Sequence, residues 1–252
     1  MKAQVGIFKT DENNQTVRLN PFKAEIAIFK SVIQDTMVNF SSLGNFIAFP
    51  VLAFIMTEFI AKPDPYTPND MFVGTFAAMF AGMVLIMQMA AAVATDREYK
   101  TLRFLMMAGV KPHSYLIGTA GAYLSLSLLV TGAFAFIGGY TGVELLGFVL
   151  VMILGLIASM TLGMTIGIFC DNQQKAIAMS TPVGMGLMFL PMFGQFNEHV
   201  YRFSQFLFNI QINTVVSDLS ANFGQSLLII LANIMVFVVL FVTAFKVKGF
   251  RF

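Results

Sequence analysis

The sequence predicts an all-α integral membrane protein with six transmembrane helices. Its 252 residues are 57% hydrophobic and only 11% charged, which lies outside the usual range of soluble globular proteins. Several stretches reach the length of about 20 mainly apolar residues that a helix needs to cross a bilayer. Charged residues concentrate between these stretches, as expected when each stretch spans the membrane.

The first 42 residues are predicted to form a cytoplasmic tail and an amphipathic interfacial helix. Residues 1–20 contain no apolar segment followed by a small-residue cleavage site, so the N-terminus is expected to stay in the cytoplasm. Apolar side chains then recur at three- and four-residue spacing, a pattern typical of a helix in the membrane interface. They are Phe22, Ile26, Phe29, Ile33, Met37 and Phe40. A soluble cap packed on the bundle is the alternative.

Residues 43–252 are predicted to form a six-span bundle, which with the tail makes one transmembrane domain, 1–252. The breaks between spans contain helix-ending residues, such as the prolines of segment 61–70. The predicted spans are residues 43–60, 71–95, 114–137, 145–170, 176–193 and 226–245.

Lysine and arginine predict the orientation, because they are retained on the cytoplasmic side of a membrane. With both termini in the cytoplasm, only Lys62 and Arg202 of the 15 basic residues fall on the outer side. The opposite topology would reverse this bias. We therefore expect a multi-pass protein of the cell membrane, with the loop 96–111 in the cytoplasm.

The loop between the second and third spans is rich in charge. A helix there would place Glu98, Leu102 and Leu105 near one face, and Gly109 and Pro112 would end it. A partner protein could grip such a helix and move the two spans that carry it. The alternative is a solvated hairpin whose basic residues only enforce the topology.

This loop resembles the corresponding loop of ABC-2 type permeases, the membrane subunits of bacterial ATP-binding-cassette exporters. The segment DREYKTLRFLMMAGVKPHSYLIGT has an acidic-Arg-Glu opening, a Thr-Leu pair, a run of leucine and methionine, a small-residue turn, and then Tyr115 and Gly118 entering the next span. Lys100 departs from the pattern, since glycine is common there. The layout of interfacial helix, six spans and a long segment before the last span is similar along the whole chain.

The resemblance implies a coupling helix in this loop, held in a groove of a separate ATPase subunit. The residues it assigns to ATPase coupling are Asp96, Arg97, Glu98, Thr101, Leu102, Leu105 and Gly109. The 252 residues contain no Gly-Lys dipeptide and therefore no P-loop, so ATP and Mg²⁺ are expected in the partner ATPase and no cofactor in this chain. Family members usually pair two permease subunits, which implies a homodimer or a sister chain, with spans one and five at the interface.

The segment 194–224 between spans five and six is aromatic and mixed-polar. The resemblance implies a pair of short outer helices that dip back into the outer leaflet and gate the exit. An ordinary outer loop with interfacial aromatic residues is the alternative. The candidate gate residues are Phe196, Tyr201, Phe203, Phe206 and Phe208.

Polar and small residues inside the spans are candidates for a pathway or for helix packing. Gln88, Asn233 and the helix-kinking Pro182 form the first group. The second group consists of small residues at four-residue spacing, for which packing within the subunit, a subunit interface and no special role all stay open. They are Gly74, Ala78, Gly82, Gly163 and Gly167.

The spans lack the residues that several other functions require. No charged side chain lies at the centre of a predicted span, which argues against ion-coupled transport. His113 and His199 are expected on opposite sides of the membrane, so they cannot share one metal site with Cys170. No residue set for an intramembrane protease is present, and the net charge of +2 gives no reason to expect a nucleic-acid partner.

The sequence thus predicts a permease without enzymatic activity of its own. It would export an amphipathic or hydrophobic substrate, such as a peptide, lipopeptide, lipid or drug, by alternating access. A non-transporting membrane scaffold or sensor that docks a cytoplasmic protein through the loop 96–111 is the alternative.

Overall fold

The computed structural model describes residues 21–63, 71–101, 105, 107, 112–217 and 223–248. Nine α-helices have both ends within these described residues. They are α1 (Pro21–Val38), α2 (Phe40–Met56), α3 (Met71–Glu98), α4 (Pro112–Gly138), α5 (Gly142–Phe169), α6 (Gln173–Phe196), α7 (Glu198–Ser204), α8 (Phe208–Ser217) and α9 (Phe223–Lys248). A π-helical turn, Thr57–Ala61, extends α2. The predicted tail at residues 1–20 lies outside the described residues.

Six of these helices are long and apolar enough to cross a membrane, which confirms the predicted six-span, all-α fold. They are α2 with its π-helical turn, α3, α4, α5, α6 and α9. Helices α2 and α6 begin before the predicted span, where a polar side chain caps the first turn. The Asn39 side chain accepts a hydrogen bond from Ser41 N at 3.2 Å, and that of Asn172 accepts one from Lys175 N at 2.8 Å.

Helix α3 is the centre of the bundle. In its most apolar stretch 78% of the residues are buried, compared with 22% in α2, 28% in α6 and 11% in α9. It packs against α2, α4, α5, α6 and α8. Any displacement of α3 must therefore disturb most of the other helices.

The two ends of the bundle are named after α3. The Glu98 end is the end at which α3 finishes, and the Met71 end is the opposite end, at which α3 begins.

Glycine allows α5 to approach α3 closely. A Cβ on Gly163 would lie 2.5 Å from the carbonyl oxygen of Ile86, and one on Gly167 would lie 2.8 Å from that of Ala90. On α3 itself, a Cβ on Gly82 would lie 3.3 Å from the backbone of Leu187 in α6. Among the three readings of these small residues, the close approaches favour packing within the subunit.

Helix α1 packs against α4 at the Glu98 end. Ala24 and Ile28 form a buried cluster with Tyr115, and a Cβ on Gly118 would lie 2.9 Å from the carbonyl oxygen of Glu25. The predicted apolar stripe is only partly covered, since Ile26, Met37 and Phe40 are exposed while Phe29 and Ile33 are half-buried. The bundle therefore buries the neighbouring face of α1 and leaves part of the stripe uncovered.

We expect Gly163→Ala to lower the free energy of unfolding by about 1–3 kcal/mol, the usual cost of overpacking, because its Cβ would collide with the backbone of α3. The thermal midpoint of the detergent-solubilised protein measures this effect. Gly132→Ala in α4 is the matched control, since a Cβ there would meet no heavy atom within 4 Å. An equal loss of stability in both variants would contradict the packing.

Candidate functional site

The acidic-Arg-Glu triplet forms the last turn of α3 rather than the start of a separate loop helix. Helix α3 continues to Glu98, and the amide of Tyr99 still donates to the carbonyl of Thr95 at 3.0 Å. The predicted second span ended at residue 95 because the apolar run ends there. The backbone remains helical through the charged residues, since their side chains find partners on three other helices.

Asp96 joins α3 to α4. The hydroxyl of Tyr115 donates a hydrogen bond to Asp96 Oδ2. Tyr115 is buried and belongs to the cluster that α1 forms with α4. This contact therefore links the end of α3 to the start of α4 and, through Tyr115, to α1.

Arg97 caps the C-terminal end of α5. Its Nη1 donates to the carbonyl oxygen of Ile168 and lies 3.5 Å from that of Cys170. The last carbonyls of a helix have no partner within the helix and carry partial negative charge, so a guanidinium group is a favourable donor to them.

Glu98 caps the N-terminal end of α6. The backbone amide of Gln173 donates to Glu98 Oε2 at 3.1 Å, in the first turn of that helix. An N-terminus carries partial positive charge, which a carboxylate stabilises. We call Asp96, Arg97 and Glu98 with these partners the α3 junction.

The turn between α5 and α6, residues 170–172, is ordered by its own contacts. Asp171 and Lys175 form an ion pair at 3.0 Å, and Lys175 holds the pKa of the Asp171 carboxyl below its usual range. The Cys170 side chain is buried against Ala90, Ala94 and Ala176, and burial raises the pKa of its thiol. The turn is therefore packed directly on α3.

The other residues assigned to ATPase coupling are more dispersed. Thr101 is half-buried, and Leu105 packs against the cluster of Ala24, Ile28 and Tyr115. Leu102 and Gly109 lie outside the described residues. Tyr99 and Met107, which the sequence reasoning did not single out, are 60% and 66% exposed. Among the described residues of this region, these two offer apolar surface to a partner.

Lys100, two residues after the end of α3, adopts a backbone conformation that favours glycine. Its φ of 55° lies in the left-handed region, and its amide donates to the carbonyl of Arg97 at 3.0 Å. Among the described non-glycine residues, Lys100 has the one positive φ. A helix commonly ends on a left-handed glycine, and here the lysine takes that conformation.

At the Met71 end, α7 and α8 form a hairpin that re-enters the bundle. The side chain of Asn233 donates to the carbonyl of Phe206, in the turn between them, at 2.8 Å. Asn233 lies about 15 Å into α9, counted from the first residue of that helix, Phe223, at a rise of about 1.5 Å per residue. Helix α8 then runs back toward the Met71 end. Its first residue, Phe208, lies close to Gly155 of α5, whereas Val216 lies close to Gly74 in the first turn of α3; a Cβ on either glycine would touch these side chains. The hairpin thus reaches well into the bundle.

Carboxamide side chains of this hairpin satisfy backbone carbonyls in α6 and in the hairpin's own turn. Asn209 donates to the carbonyl of Leu187 in α6, and Gln211 donates to that of Gln205 in the turn. Irregular backbone at such a depth needs protein partners, since lipid offers none. The sequence signal was the run of Asn and Gln within 205–213, and the sequence reasoning took only its aromatic residues.

The candidate gate residues divide into two groups. Phe196 and Phe203 are 77% and 81% exposed, and Tyr201 and Phe206 are also exposed. Phe208 is fully buried, with its ring 6.1 Å from that of Phe237 in an edge-on arrangement. Phe208 therefore anchors the hairpin, whereas Tyr201, Phe203 and Phe206 lie on its surface and Phe196 lies at the end of α6.

The polar residues inside the spans make helix-to-helix or local contacts. The hydroxyl of Ser42 in α2 donates to Gln88 Oε1 in α3 at 3.4 Å. Pro182 lies within α6, where the hydroxyls of Ser180 and Thr181 donate to the carbonyl of Ile177 at 3.3 and 2.6 Å. Gln88 and Asn233 therefore both make contacts outside their own helices.

Comparison with known proteins places the chain in a family. The family model described as "ABC-2 family transporter protein" matches residues 9–246, nearly the whole chain. The match includes the α3 junction and the α7–α8 hairpin. No curated protein matches the chain.

We expect Lys100→Gly to raise the free energy of unfolding by about 0.5–1 kcal/mol, because glycine adopts the left-handed conformation without the steric cost that lysine has. Thermal unfolding followed by size-exclusion of a fluorescently tagged chain measures the change. Lys30→Gly is the matched control at an exposed position within α1, where glycine should lower stability by about 0.5–1 kcal/mol. A loss of stability in both variants would contradict the assigned conformation.

We expect Asn233→Leu to loosen the hairpin by about 0.5–2 kcal/mol, the range measured for interhelical hydrogen bonds in membranes. The carbonyl of Phe206 would lose its donor from α9. Faster hydrogen exchange of residues 197–217, with unchanged exchange in α3, is the expected result. Asn45→Leu, at an exposed position of α2, should leave the hairpin unchanged; equal effects would argue against the contact.

Proposed function

Because the chain belongs to the ABC-2 family of transporter proteins, we propose that it is the permease subunit of an ATP-driven exporter. Proteins of this family form the non-catalytic membrane part of transporters, and the six apolar helices agree with that role. One observation carries the proposal: the loop after Glu98 is attached directly to α3, which is the most buried of the six spanning helices. A force on this loop would act on the centre of the bundle.

The energy would come from a separate ATPase subunit that binds ATP and Mg²⁺. The 252 residues contain no Gly-Lys dipeptide for a P-loop. The exposed side chains of Tyr99 and Met107 would contact the ATPase, while the α3 junction holds the loop to the bundle. ATP binding and release would then drive alternating access without chemistry on the substrate.

The substrate would leave near the α7–α8 hairpin. In the proposed orientation both termini and the Glu98 end face the cytoplasm, and the hairpin faces outward in the cell membrane. Its surface carries Phe203 and Phe206, which suit contact with an amphipathic or hydrophobic substrate such as a peptide, lipopeptide, lipid or drug. An exposed phenylalanine offers a large apolar surface to such a substrate.

A second permease subunit would complete the transporter. Helices α2 and α6 bury only 22% and 28% of their most apolar stretches within the chain, which leaves surface for a second copy or a sister chain. Their exposed side chains include Ile47, Val51, Val183 and Met185. The dimer would then present two coupling loops to two ATPase subunits.

We expect a cysteine at Glu198 to react with an impermeant maleimide from outside intact cells, and a cysteine at Gln174 to react only after the cells are opened. Both residues are exposed, in α7 and at the start of α6. A Cys170→Ala background removes the one natural thiol. The reverse labelling pattern would overturn the orientation and, with it, the direction of export.

We expect the tagged chain, purified from its own host in mild detergent, to bring down an ATP-binding-cassette ATPase in stoichiometric amount. Met107→Glu should abolish this capture because it places a charge on the proposed contact. Val143→Glu is the matched control, since Val143 is also exposed but lies in the first turn of α5 at the Met71 end. Glu98→Lys should keep the ATPase bound but uncouple ATP turnover from export.

Absence of any ATPase, with none encoded nearby that restores turnover, would reject the exporter. A different cytoplasmic protein captured through Met107 would instead indicate the scaffold or sensor. Normal export by Glu98→Lys would remove this residue from coupling.

A further inference from the structure

We propose that Arg97 and Glu98 are positioning residues that transmit movement of the coupling loop to the turn between α5 and α6. The inference rests on the proposed function, because it names the route by which motion of the ATPase reaches the bundle. The loop is continuous with α3 and α4 alone, so the chain itself gives it no direct hold on α5 or α6. The α3 junction supplies that hold.

The charges of Arg97 and Glu98 match the two helix ends that they meet. Helix α5 ends at Phe169 with partial negative charge, and α6 begins at Gln173 with partial positive charge. The short turn 170–172 brings these opposite ends together. Two successive residues of α3, one cationic and one anionic, thus contact a pair of helix ends of complementary polarity.

The partners of both side chains are main-chain atoms. Arg97 donates to the carbonyls of Ile168 and Cys170, and Glu98 accepts from the amide of Gln173 at 3.1 Å. A pull on these atoms displaces the backbone itself, whereas a side-chain partner could yield by changing its rotamer. The contact is therefore suited to moving a turn as a unit.

The turn is also internally braced, so it would follow such a pull. The Asn172 side chain accepts from Lys175 N at 2.8 Å, and the amide of Cys170 donates to Gly167 O at 3.1 Å. The buried cluster of Ala90, Ala94, Cys170 and Ala176 fixes the turn against α3. The last turn of α3 and the α5–α6 turn therefore form one block.

The experiment measures whether this block stays together during the ATPase cycle. Spin labels are placed at Tyr99 and Gln174, which are both exposed, in a Cys170→Ala background of the full chain in nanodiscs with the captured ATPase. Continuous-wave spectra are recorded without nucleotide and after trapping with ATP and vanadate. For the otherwise unaltered chain we expect the same strong dipolar broadening in both states.

In Arg97→Gln/Glu98→Ala we expect the broadening to be lost in the trapped state, because Tyr99 then follows the ATPase while the turn does not. Glu98→Gln keeps an acceptor oxygen and should behave as the unaltered chain, as should Lys246→Gln, a charge loss at the Glu98 end outside the junction. If the double variant does not fold, Glu98→Ala alone takes its place; because Arg97 still holds the carbonyl of Ile168, we then expect the broadening to be reduced in the trapped state rather than lost. A purely stabilising role would not make the distance depend on nucleotide.

Broadening that changes with nucleotide in the unaltered chain, or that persists in the double variant, overturns the inference. Either result leaves the exporter intact, provided that the ATPase is captured. Failure to capture an ATPase rejects the proposed function and the transmission together. In that case the spectrum of the chain alone still shows whether Arg97 and Glu98 hold the turn.

Discussion

Backbone groups without a helical partner are the constraint on which this structure depends. A membrane-spanning bundle contains helix ends and turns whose carbonyls and amides cannot be satisfied by lipid. At the Glu98 end, Arg97 and Glu98 satisfy the facing ends of α5 and α6. In the α7–α8 hairpin, Asn233 and Gln211 satisfy the turn. The same physical requirement therefore shapes both regions to which the exporter mechanism assigns a role.

Helix α3 connects these two regions. Gly163 and Gly167 of α5 and its own Gly82 allow α5 and α6 to approach within backbone contact, so α3 is buried along most of its length. One of its ends carries the α3 junction, and its first turn contacts Val216 of the hairpin through Gly74. Because packed interiors are close to incompressible, a shift of α3 at one end is felt at the other. The architecture thus gives coupling loop and hairpin a common, rigid neighbour.

The sequence predicted the six spans because apolar length is a property of each segment alone. It predicted less of the site. The sequence assigns the stripe on α1 to the membrane interface, but the face packed on α4 is buried through Ala24 and Ile28, and the close approach of Ile28 depends on Gly118 of a distant helix. Asp96, Arg97 and Glu98 were selected by resemblance as partners of an ATPase, and in the structure they contact the chain itself. Lysine itself carries no signal for the left-handed backbone at Lys100; the resemblance, in which glycine is expected there, held the one hint of it.

The main-chain partners of Arg97 and Glu98 have a consequence for how such proteins diverge. Backbone carbonyls and amides are present whatever side chain a residue carries, so positions 168, 170 and 173 can exchange residues without losing these bonds. Evolution is thereby free to vary one side of the contact while the other stays fixed. Methods that detect neighbouring residues by their correlated substitution would consequently find little at this place, although three helices meet there.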